Sequence, residues 1–100
     1  MRKITFNLKR EWFEAFKNGS KIKEFRVFNE FWRKRLEGRD FDVVELCLGY
    51  PKKCDNDRRI YKDWAGLTVE EIVHPEFNNK KIKVFATHTK PLTFNIKEIL

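Results

Sequence analysis

Cysteine is scarce in this chain, and so are the groupings that mark a metal centre or a disulfide scaffold. Only Cys47 and Cys54 occur, with six residues between them and in no CxxC pair, and His74 and His88 are the only two histidines. A disulfide-stapled secreted domain needs a denser set of cysteines, and a structural zinc site needs ligands at paired spacings. The expectation is therefore reduced thiols in a cytoplasmic protein, with no metal and no cofactor. Long apolar runs are missing too, since nothing approaches the ~20 residues of a membrane-spanning helix. The first residues are charged and alternate in character, which does not read as a secretory leader. With four glycines and three prolines the chain holds no low-complexity tract, linker or internal repeat. There is no Walker loop, dinucleotide fingerprint or GxSxG elbow. Asp55, Asn56 and Asp57 hint at a cation loop, but the glycine and terminal glutamate of an EF-hand are absent.

What is abundant is aromatic rings and positive charge. One hundred residues allow a single domain, spanning 1–100, and ten phenylalanines and three tryptophans supply a core built from rings. Lysine and arginine outnumber aspartate and glutamate by 22 to 15, a net charge of +7. The first fifty residues carry twelve basic and eight acidic side chains, the second fifty ten and seven, so no tail accounts for the excess. A basic surface on the folded body favours polyanionic partners.

Periodicity outlines the elements. Residues 3–8 alternate, with Ile4, Phe6 and Leu8 on one face of a half-buried strand. Residues 10–17 switch to helical spacing, placing Trp12, Phe13 and Phe16 together, and Asn18-Gly19 ends that helix. Residues 22–28 alternate again. Asn29 is a good N-cap and Gly38 a good stop for a second helix, in which Phe31, Trp32 and Leu36 would face inward. Residues 41–49 form the most apolar strand, expected to be central. Residues 50–59 read as a loop, 67–74 and 81–89 as strands joined by a turn that His74 and Pro75 help shape, and 93–99 as a last strand burying Phe94 and Ile96. A run of short strands in so few residues must manage its edges. The expectation is a small α+β fold with a strongly curved sheet.

Two stretches carry candidate chemistry. In the first, Glu24 and Arg26 lie two apart on a strand and share a face, while Lys21 at the preceding turn swings toward them. A carboxylate flanked by two cations is held ionised. Arg26 and Lys21 could grip a phosphate, and Glu24 could accept from a base amino group or a ribose hydroxyl. Charged alternation is also what any exposed strand shows. In the second, residues 50–62, Lys52, Lys53, Arg58, Arg59 and Lys62 surround Asp55 and Asp57, with Tyr50, Tyr61 and Trp64 interleaved. Bases stack on such rings while cations hold the backbone. Arg33, Lys34, Arg35 and Arg39 could extend the basic surface.

The helix ending in Gly19, the Lys21-x-x-Glu24-x-Arg26 signature and the Asp42-Val43-Val44-Glu45 strand running into Gly49-Tyr50 resemble an activating signal cointegrator homology (ASCH) domain. The resemblance covers most of the chain and fits the terminal strand pair more loosely. It implies a PUA-like β-barrel of five to six mostly antiparallel strands with two flanking helices. It also implies a nucleic-acid cleft at Lys21, Glu24 and Arg26, and the basic, aromatic stretch is expected to flank it, so that Lys23, Tyr50, Lys52, Lys53, Arg58, Arg59 and Trp64 join Lys21 and Arg26 as expected nucleic-acid contacts. RNA or a modified nucleoside would be the ligand.

Some ASCH proteins resemble amidohydrolases of N4-acetylcytidine, in which a threonine nucleophile, activated by the lysine, stands where this chain has Glu24. A carboxylate cannot take that hydroxyl role, though it could activate a water. Others look like metal-independent ribonucleases, in which Lys21 would assist attack by a 2′-hydroxyl. The leading expectation is an RNA-binding module. A small hydrolase using Lys21, Glu24 and Arg26 is the second, and a basic face docking an acidic protein the third.

Overall fold

The computed structural model describes residues 1–99. Five strands make one mixed sheet: β1 Lys3–Leu8, β2 Lys23–Val27, β3 Val43–Leu48, β4 Arg59–Val73 and β5 Lys81–Lys90. Helices α1 Arg10–Lys17, α2 Glu30–Leu36 and α3 Ile96–Ile99 accompany it. The strand order is β1-β3-β4-β5-β2. β1 and β3 pair in parallel, because α1, β2 and α2 intervene between them, and the other three pairings are antiparallel.

β3 is an interior strand, paired with β1 on one side and β4 on the other, and all six of its residues are buried, Glu45 among them. Its core-facing Val44, Leu46 and Leu48 meet Phe6 and Leu8 of β1, Phe13 and Phe16 of α1, Leu36 of α2 and Phe85 of β5 in one cluster. Phe6 and Phe85 sit on strands that are not neighbours in the ladder, yet share this core. The two ends of the sheet also approach each other, since Arg26 of β2 reaches the Asn7 carbonyl of β1 at 3.1 Å. Gly66 adopts φ +106° at the bulge between Trp64 and Leu67, and that left-handed residue bends the long β4.

Several expectations need correction. The ladder is not closed into a barrel: β1 and β2 are its two ends. Residues 93–99 are not a strand. The Thr93 amide and hydroxyl are bound by Asp63 at 3.0 and 2.6 Å, and the Asn95 side chain accepts from the Lys97 amide at 2.9 Å, capping a short helix. Among the described residues three α-helices are thus present where two flanking helices were expected, Phe94 is half-buried and Ile96 is exposed. Phe31 does not face inward; it is exposed on α2, with the Arg35 guanidinium 3.4 Å above its ring. Finally, β4 begins at Arg59, so part of the stretch expected as a second site is strand.

Candidate functional site

Lys21 stands where α1 hands over to β2. Asn18 closes the helix, Gly19 takes φ +84°, and the Lys21 amide donates to the Ala15 carbonyl at 3.0 Å. This turn aims the Lys21 side chain back over aromatic rings. Its Nζ lies 5.2, 5.5 and 5.0 Å from the ring centres of Trp12, Phe16 and Phe25, a cage that suits a cation.

β2 then presents Glu24 and Arg26 on one face, as their spacing requires. Glu24 is only 6 % exposed. Its Oε2 is 2.7 Å from Arg26 Nη2, and its Oε1 is 3.6 Å from Lys21 Nζ. Arg26 Nη2 also donates to the Asn7 carbonyl of β1 at 3.1 Å. Its guanidinium carbon is 5.0 Å from the ring centres of both Phe6 and Trp32. Burial lifts the Glu24 carboxyl above its ordinary value, and the charges of Arg26 and Lys21 pull against that rise. Two buried polar atoms beside this ion group lack hydrogen-bond partners: Arg26 Nε and the hydroxyl of Thr87, which faces Glu24 across the β2–β5 ladder.

The three charged residues form the floor of a cavity of about 310 Å³, walled by Trp12, Trp32 and Phe77. At its rim Lys9 Nζ is 2.8 Å from Glu76 Oε1, linking the start of α1 to the turn between β4 and β5. His74 shapes that turn: its Nδ1 accepts from the Glu76 amide at 3.1 Å, and its ring lies 5.6 Å from Trp12.

The second candidate stretch divides. Tyr50 and Arg58 line a groove next to the cavity. Arg59 instead holds its own loop. It donates to the carbonyls of Lys52, Asp55 and Pro51 at 2.7, 2.9 and 3.2 Å, and its Nε is 3.7 Å from the buried Glu45. Burial pushes the Glu45 carboxyl up, but hydrogen bonds from Thr5 and Tyr61 and the charge of Lys3 outweigh it and hold the group below its ordinary value. Tyr61 is pushed up to about 12 by burial and by that carboxylate. Trp64 packs edge-on against Phe41 at 5.0 Å, beside the core. Lys52 and Lys53 are exposed and line neither the cavity nor the groove. Lys23 points away from the cavity floor and binds Glu70 at 3.2 Å.

The sequence thus marks the floor of the cavity, and the structure adds Asn7, Lys9, Trp12, Trp32, Glu76 and Phe77 around it. The two tryptophans lie at helical core spacing, and nothing in that spacing separates a cavity wall from packing. Among the described residues no group of three or more histidine, cysteine or acidic side chains is placed to hold a metal, and no helix is long and apolar enough to cross a membrane. Comparison with known family models, curated proteins and solved structures finds no match to this chain.

Proposed function

We propose that this chain is a PUA-like domain of the ASCH kind that binds RNA by taking one nucleotide, or a modified nucleoside, into the cavity above Lys21, Glu24 and Arg26. The observation that carries this reading is a buried carboxylate, bracketed by two cations, at the floor of an aromatic-walled cavity. Such a carboxylate accepts hydrogen bonds from an amino group or a ribose hydroxyl, and guanidinium and ammonium groups hold a phosphate. The tryptophan walls suit a planar base. The cavity volume is at the lower end of small-ligand sites, which fits one nucleoside rather than a larger group. A positive net charge of +7 favours encounter with RNA.

Hydrolysis at the same floor is the second reading, favoured by the burial that lifts the Glu24 carboxyl, since a general base works best when its pKa moves toward neutrality. Against it, Arg26 already occupies Glu24 Oε2 at 2.7 Å, where a water would have to be activated.

The test is titration of wild type, Glu24→Gln and Lys21→Ala with mixed RNA and with N4-acetylcytidine, without metal, followed by mass spectrometry of the ligands. Binding of intact ligand that both variants weaken supports recognition. Product formed by wild type and lost in Lys21→Ala assigns hydrolysis. Ligands that wild type neither binds nor alters overturn both readings.

A further inference from the structure

A second groove of about 470 Å³ opens beside the cavity, and the two share a wall of Asn7, Leu8 and Lys9. The groove is completed by Arg10, Tyr50 and Arg58. Tyr50 follows β3 and is 89 % exposed, so its ring contributes little to the core and is open to a partner. Arg58 has no ion-pair partner among the described residues, and Arg10 has only a loose contact with Glu14 at 3.9 Å. α1 also starts here, at Arg10, and the side chain of its N-cap residue Lys9 makes no capping hydrogen bond. Cations beside an uncapped helix start are arranged for phosphate oxygens. An open aromatic ring beside them is arranged for a base.

We infer that this groove is the neighbouring subsite of the same ligand. Single-stranded RNA would place one nucleotide in the cavity and the next base on Tyr50. Lys9, common to both walls, stands at the linking phosphate, and Arg10 and Arg58 hold the following one. A base in a duplex is already stacked and does not offer its face to a ring, so the ligand is single-stranded. The inference rests on the cavity's taking a nucleotide and extends it: the ligand is a strand, and a free nucleoside fills only half of the site.

The experiment measures binding of a labelled single-stranded oligocytidylate and of free cytidine to wild type, Tyr50→Ala, Arg58→Ala and Glu24→Gln across a salt series. Tyr50 and Arg58 are exposed, so their variants keep the fold, which thermal melting checks. Each is expected to weaken RNA binding on the order of tenfold while leaving cytidine binding unchanged. Arg58→Ala should also reduce the salt slope by about 0.7, the share of one phosphate on a single strand. RNA affinity and salt slope unchanged in both variants would overturn the groove, and the cavity reading survives that result if Glu24→Gln weakens either ligand. RNA loss in the groove variants with no effect of Glu24→Gln on either ligand overturns the joined site. Wild type that binds neither ligand overturns both, leaving an acidic protein as the partner to test.

Discussion

Arg26 on β2 donates to the backbone carbonyl of Asn7 on β1 at 3.1 Å, through the same nitrogen that holds Glu24 at 2.7 Å. β1 and β2 are opposite ends of the strand order, so one guanidinium joins by a side chain two edges that the ladder leaves apart. The cavity lies along this seam, lined from one side by Asn7 to Lys9 and from the other by Glu24 to Val27. Fold and site therefore depend on the same ion group.

Arg26→Ala should accordingly be far costlier than an ordinary surface substitution. It removes the seam contact and the packing over Phe6 and Trp32, and leaves buried Glu24 with Lys21 alone at 3.6 Å. Breaking one side of a buried pair costs roughly 3–5 kcal/mol. Urea unfolding should show a lower midpoint at unchanged slope. The double variant Glu24→Gln/Arg26→Ala should recover part of the loss, because the buried carboxylate is no longer left short of its guanidinium. A cost below about 1 kcal/mol, the range of exposed ion pairs, would show that the seam does not depend on Arg26.

The two buried glutamates should titrate in opposite senses. Glu24 has a folded pKa above its ordinary 4.5, so the folded state holds that proton more tightly than the unfolded chain. Its contribution is fully present below 4.5 and is lost as the pH rises through the raised value. Glu45 has a folded pKa below 4.5, so its contribution is present above 4.5 and lost as the pH falls through the lowered value. Stability measured from acid to neutral pH should show wild type losing ground to Glu24→Gln as pH rises, and gaining ground on Glu45→Gln. Parallel curves for the two variants would refute this assignment.

Much of this arrangement is legible in the sequence where the signal is local. The alternation of residues 3–8, the helical spacing of Trp12, Phe13 and Phe16, and Asn29 as an N-cap, whose side chain accepts from the Trp32 amide at 3.0 Å, all hold in the fold. Lys21, Glu24 and Arg26 converge because strand alternation and a glycine turn suffice to bring them together. What local pattern misses is set by partners distant in the chain. Residues 93–99 read as a strand by alternation, but Asp63 captures Thr93 and turns the chain. Arg59 sits in a cationic run that reads as one surface, yet it is drawn inward by Glu45, fourteen residues before it. Trp12 and Trp32 become cavity walls only because β1 and β2 approach across the seam, which no periodicity encodes.

The rim of the cavity makes the last prediction. Lys9 is the cation shared by cavity and groove, and the Glu76 carboxylate already occupies it at 2.8 Å. A ligand phosphate at this position would have to displace that carboxylate, which carries the same charge and presents the same kind of oxygen. Glu76 is held below its ordinary pKa chiefly by the hydrogen bond from Lys9, so the pair is intact at neutral pH and is lost as pH falls through that lowered value. Glu76→Gln should release Lys9 and strengthen binding of oligocytidylate at neutral pH. Cytidine, which has no phosphate, should bind as before. Because both partners of the pair are largely exposed, the melting temperature should scarcely move. Weaker RNA binding in this variant would mean that Glu76 orders the rim for the ligand rather than competing with it. Equal binding would place the phosphate away from Lys9.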